Sequence, residues 1–136
     1  MIATGIETDA QYPYLGVQGQ CAFNTSSIAF QPVSLVSVKP RHPKQMALAL
    51  TQQPVSICLD CARRVFQHYS SGVIKRGCGT SLDHCVLAVG YTEDAYIIKN
   101  SWGETWGENG YLRVAKHSEN GPGVCGVLEV PAYPTF

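Results

Sequence analysis

The chain has 136 residues, 45% of them hydrophobic and 15% charged, with ten acidic against ten basic side chains. That composition describes one globular domain rather than a disordered chain, and the even charge gives no electrostatic hold on nucleic acid or an anionic membrane. No apolar run approaches the ~18–20 residues of a membrane span, and the start, MIATGIETD, has neither the basic head nor the apolar stretch of a secretory signal peptide.

Six cysteines are many for a reduced cytosolic chain of this length, and their spacing leaves the pairing open. Residues 5–23 are turn-rich and aromatic, which predicts an extended loop pinned by Tyr12, Tyr14 and Phe23. Asn24-Thr25-Ser26 has the pattern of a glycosylation acceptor, a triplet also common by chance. Residues 33–38 predict a strand. Pro43 opens a helix that Lys44–Gln53 continues, with Met46, Ala47 and Leu50 on one face, until Pro54 stops it. Val55–Asp60 reads as a short apolar strand. Ala62–Tyr69 reads as a weak helical turn presenting Val65, Phe66 and Tyr69.

The stretch from Ser81 to Val114 organises the rest. Residues 85–91, 96–99 and 111–114 predict three strands, the first two joined by the polar turn Thr92-Glu93-Asp94. A hairpin brings its strand mouths together, so His84 before the first strand and Asn100 after the second come within side-chain reach. An amide oxygen beside an imidazole fixes its tautomer and direction, which is the orienting role in a nucleophile–base–orienter relay. Taken singly, such a His is more often a structural residue and such an Asn a turn former. Residues 123–136 end in a Pro-punctuated strand. The whole reads as α+β, mainly antiparallel β, in one domain spanning 1–136.

Three ordered motifs then give a resemblance: Leu82-Asp83-His84 leading into Val-Gly-Tyr, Lys99-Asn100-Ser101-Trp102-Gly103, and Trp106-Gly107-Glu108-Asn109-Gly110-Tyr111. The chain closely resembles the C-terminal half of the papain family of cysteine peptidases, which includes the lysosomal cathepsins. The likeness runs from about Gly5 to Phe136. It implies the β-rich right-hand domain of the papain-like fold, with residues 1–23 as a lead-in from a missing helical left-hand half. It also implies hydrolysis of peptide bonds through an acyl-enzyme, with peptide or protein substrates and a lysosomal or extracellular location. His84 is by this resemblance the base and Asn100 its orienter. Trp102 shields their hydrogen bond and Trp106 belongs to the primed-side wall. Cys78 and Cys125 match the family's disulfide within this domain, whereas the family's partner for Cys21 lies in the missing half. The pocket for the residue two before the point of attack is walled by positions matching Cys58, Cys85 and Val130. These could equally be packing residues. If they line the pocket, reduced cysteines act as small hydrophobes favouring a medium apolar side chain, and oxidation of the two thiols would narrow it.

The resemblance also defines what these residues do not supply. The nucleophilic cysteine of the family follows a Gly/Ser-rich turn and opens a helix, and none of the six cysteines here has that context. The chain alone is therefore expected to be inactive, either as part of an endopeptidase or as a non-catalytic homologue that binds peptide or a protein partner in the remaining half-cleft. Cys58-x-x-Cys61 invites a zinc or redox reading with Cys78, His84 or Cys85, but no second such pair exists and no helix follows in the thioredoxin manner. No metal and no cofactor are expected. His42, His68 and His117 read as solvated surface residues.

Overall fold

The computed structural model describes residues 5–136; residues 1–4, which open the stretch expected not to be a signal peptide, lie outside them. Two compact units emerge: a larger one, Ser37–Tyr133, and a smaller one that runs up to Val36 and takes in Pro134–Phe136.

In the smaller unit, Ile6 and Phe30 form an antiparallel bridge. Asn24 caps a 3-10 turn, Thr25–Ser27, by accepting the Ser26 N–H at 2.9 Å. Strand β1 (Ser34–Ser37) starts beside the tail, where Val33 N donates to Thr135 O at 2.8 Å. Tyr12 is tied in, its hydroxyl accepting from Ala22 N at 3.2 Å. Tyr14 pins nothing: it is 91% exposed.

The larger unit opens with α1 (Pro43–Leu50). Pro43 sits in the first turn, where its missing N–H costs no bond. His42 is the N-cap, its ring accepting from Gln45 N at 3.4 Å, so it is a structural residue rather than a solvated one. The helix stops three residues earlier than expected, because Thr51–Gln53 turn ahead of Pro54. Its buried stripe is Pro43, Met46 and Ala49, an i, i+3 spacing shifted from the expected face.

There follow β2 (Val55–Leu59), α2 (Arg64–Gln67), β3 (Val73–Ile74), β4 (His84–Tyr91), β5 (Ala95–Lys99), β6 (Tyr111–Ala115) and β7 (Ala132–Thr135). In the larger unit the sheet runs β2-β4-β5-β6-β3, with Ala132 paired to Ser56 on the outer side of β2. All pairings are antiparallel except β3 with β6. Alternation along the strands sends one face inward: Val55, Ile57 and Leu59 on β2, Val86 and Ala88 on β4, and Tyr96 and Ile98 on β5. The opposite face keeps Ser56, Cys85 and Leu87 exposed and Cys58 half-buried. At one end of the sheet the last two β2–β4 rungs are Cys58↔Cys85 and Leu59↔His84. The candidate site sits at this end.

Candidate active site

His84 begins β4, and Asn100 follows the last residue of β5, so the antiparallel register brings them to one edge. His84 Nε2 lies 2.8 Å from Asn100 Oδ1. The backbone fixes Asn100 from both sides. Its N–H donates to Gly110 O at 2.9 Å, and its side-chain oxygen accepts the Ser101 N–H at 2.8 Å. Asn100 is 8% exposed, and its Nδ2 is buried with no partner.

The loop after Asn100 doubles back tightly enough for its residues to contact β6. Gly107 lies at φ 60, and a Cβ there would stand 2.5 Å from Tyr111 O and 3.1 Å from the Tyr69 ring. Only glycine fits that approach. The turn brings Trp102 onto the histidine and Trp106 behind it. Trp102 stacks on His84, centroids 5.2 Å apart at 27°, and Trp106 meets Trp102 edge-on at 5.2 Å and 79°. Trp106 Nε1 donates to Gln67 O at 3.2 Å, so its polar atom is satisfied while its ring packs.

Phe66 and Tyr69 complete the box. Phe66 is fully buried and touches His84, Trp102 and Trp106. Tyr69 tilts against Trp106 at 5.6 Å and donates to Gly72 O at 2.6 Å, while burial raises its hydroxyl's pKa. Neither residue was among the expected site residues. Their three-residue spacing on a helical turn was the available signal. Glu108 anchors the loop from the far side, accepting from Arg113 Nη2 at 2.7 Å and from Gly72 N at 2.8 Å.

The cysteines divide into two bonded pairs and two free thiols. Cys78 is joined to Cys125, the pairing the resemblance implies. Cys58 is joined to Cys85, so the two expected pocket thiols are a disulfide. Val130, two residues before β7, is 50% exposed. Cys85 also lines a groove of about 410 Å³ with Ser56, Leu87, Lys99, Asn100 and Ser101. Cys21 is free and exposed in the smaller unit, and Cys61 is free and half-buried. Burial, reinforced by Asp83, pushes the Cys61 thiol up to about 11. It is thus held protonated at neutral pH, the reverse of an activated nucleophile. Asp83 accepts the Cys61 N–H at 2.8 Å, and that bond lowers its carboxyl pKa. Among the described residues, no group of three or more His, Cys, Asp or Glu could hold a metal ion.

Residues 1–135 match the family described as papain family cysteine protease. The chain is 42% identical to cysteine proteinase RD21A of Arabidopsis thaliana over 135 residues, 96% of this chain and 29% of that protein. It is 36% identical to fruit bromelain of Ananas comosus, over 97% of this chain and 39% of that protein. Among solved structures, a Carica candamarcensis cysteine protease, CMS1MS2, in complex with E-64 superposes with a TM-score of 0.90 at 40% identity, over 98% of this chain and 63% of that one. The chain therefore spans about a third of the length of these curated relatives.

Proposed function

The chain belongs to the papain family of cysteine proteases, and we propose that it is the C-terminal, base-bearing half of an endopeptidase whose nucleophilic cysteine comes from residues outside these 136. The observation that carries this reading is the 2.8 Å contact between His84 Nε2 and Asn100 Oδ1 under the stacked Trp102 ring.

In the proposed reaction His84 takes the proton from the attacking thiol, then returns it to the leaving amine as the acyl-enzyme forms. Asn100 holds the ring, Trp102 keeps water from their bond, and Trp106 walls the primed side. The half carrying the nucleophile also contributes to the oxyanion hole. Cys58, Cys85 and Val130 wall the pocket for the residue two before the point of attack. None of the three carries a charge; with the cysteines reduced the pocket suits Leu, Val or Phe, and the closed Cys58–Cys85 bridge leaves it narrower. The partner half, or another protein chain, covers apolar surface left open here. Two disulfides accord with a lysosomal or extracellular compartment.

The test is reconstitution. The 136-residue chain should hydrolyse no peptide alone. Co-folded with the cysteine-bearing half of a papain-like relative, it should gain activity that His84→Ala abolishes. Turnover by the pure chain, or activity that survives His84→Ala, would overturn the reading. Peptide binding without turnover in the reconstituted protein would mark a non-catalytic homologue instead.

A further inference from the structure

The two disulfides sit in opposite surroundings. Cys78–Cys125 spans a sequence separation of 47, and Cys125 is 2% exposed within the core. It ties a loop to the 3-10 turn Val124–Gly126 and does not bridge paired strands. Cys58–Cys85 joins directly opposed residues of β2 and β4, on the sheet face that also carries exposed Ser56 and Leu87. Cys85 is itself exposed and lines the 410 Å³ groove. Four other rungs, Val55↔Ala88 through Ile57↔Val86 and Leu59↔His84, pair the same two strands without it.

We propose that Cys58–Cys85 is a reversible thiol–disulfide site whose state bears on the neighbouring histidine. A small thiol can reach the Cys85 sulfur from solvent, and exposed bridges are the ones that exchange most readily. With glutathione as reductant, its thiolate attacks Cys85 Sγ and the Cys58–Cys85 bond breaks. Cys58 leaves as a thiolate and takes up a proton. A second glutathione thiolate then attacks the mixed disulfide and releases Cys85. Two protein thiols and one oxidised glutathione result, and two electrons pass from glutathione to the protein.

The ladder makes this step local. The remaining rungs keep β2 and β4 in register, with the two cysteine Cα atoms only 4.0 Å apart in the closed state, so the reduced pair stays poised to re-form. Cys61, three residues beyond Cys58, does not compete as an internal attacker, because burial beside Asp83 keeps its thiol protonated. Opening the bridge removes the covalent tie one residue from His84. The Leu59↔His84 rung is then held at this end by backbone bonds alone, the Asp83 N–H to Leu59 O at 3.1 Å among them, and the ring's hold on Asn100 loosens. This link to catalysis rests on His84 being the base, but the chemistry of the bridge does not.

The experiment titrates the folded chain with reduced glutathione and traps thiols with iodoacetamide. Fragment-ion mass spectrometry reads each cysteine separately, circular dichroism follows the sheet, and NMR follows the His84 ring. Cys58 and Cys85 should label at a glutathione concentration about tenfold lower than Cys78 and Cys125. The sheet signal should stay constant, the His84 resonance should shift with the labelling, and oxidised glutathione should reverse both. A Cys58→Ser/Cys85→Ser variant should show the reduced-state His84 resonance without any reductant. Labelling of all four cysteines in one step, labelling only as the sheet is lost, or a His84 resonance indifferent to the bridge would overturn the proposal. Should the double variant fail to fold, the titration of the unaltered chain decides alone. Loss of activity on reconstitution would test the proposed function and leave these readouts unaffected.

Discussion

The Asn100 side-chain oxygen faces two nitrogens at once, His84 Nε2 and the Ser101 backbone N–H, each at 2.8 Å. A backbone N–H only donates, so this contact determines which end of the amide is oxygen. That oxygen in turn only accepts, so Nε2 of His84 carries the proton and Nδ1 of the neutral ring holds the lone pair. The arrangement leaves Asn100 Nδ2 buried without a partner, a cost of about 1–3 kcal/mol. Folding stability is spent here on the direction of one imidazole.

Asn100→Ala should therefore leave the fold intact while freeing the ring. In the reconstituted enzyme kcat should fall by about 10²-fold or more with KM little changed, since general base catalysis contributes about 10²–10⁴. Nitrogen-15 NMR of the His84 ring should show mixed tautomers in place of one. A kcat within a factor of about two of the parent protein would remove Asn100 from the orienting role.

Phe66 supports the same ring from below. It is fully buried and meets His84, Trp102 and Trp106. Phe66→Ala should cost about 3–5 kcal/mol of unfolding free energy, measured by urea denaturation. Trp102→Ala, at a residue 38% exposed, should cost less but should speed exchange of the His84 Nε2 proton with water. Equal stability losses from the two changes would mean that the box does not pack as described.

Much of this was readable in the sequence. The central strands form over residues 84–91, 95–99 and 111–115, close to their expected bounds, with a register shift between Ala88 and Gly90 that the sequence did not announce, and the hairpin leads to the His84–Asn100 contact. What escaped had little local signal. Val73–Ile74 is too short to show a period, so its parallel pairing with β6 is a purely tertiary fact. The Cys58–Cys85 bond depends on β2 lying beside β4 in one register, which spacing does not state. Cys125 lies at φ 58, a conformation rarely taken by residues other than glycine. Tyr14 misled because aromatic residues in a turn-rich segment suggest anchoring, yet its ring is open to solvent.

The Glu108–Arg113 pair predicts an acid response. Arg113, and after it the Gly72 N–H, hold the Glu108 carboxyl down to about 2, from an ordinary value of 4.5. A depressed carboxyl pKa contributes stability that is present above the unfolded value and lost as pH falls through the folded one. Thermal midpoints should thus decline between pH 4.5 and about 2, and Glu108→Gln should be less stable at pH 7 with a flatter decline. A variant with the same acid slope as the parent would show that other carboxyls govern the response.

Cys61 predicts the opposite sign at the alkaline end. Its thiol is raised to about 11 from an ordinary 9.0, chiefly by burial and then by the Asp83 carboxylate. A raised pKa gives stability that is full below the unfolded value and lost as pH climbs through the folded one, so the loss falls between 9.0 and about 11. Only the thiolate is alkylated, and at pH 8 about one Cys61 in a thousand is ionised. Its iodoacetamide rate should rise about tenfold per pH unit from 8 to 10 and stay well below that of exposed Cys21 at pH 8. Asp83→Asn removes the neighbouring charge but not the burial, so it should speed the reaction at pH 8 without bringing it to the Cys21 rate. Rates for Cys61 and Cys21 that match across the whole range would mean that the thiol is not held by its surroundings at all.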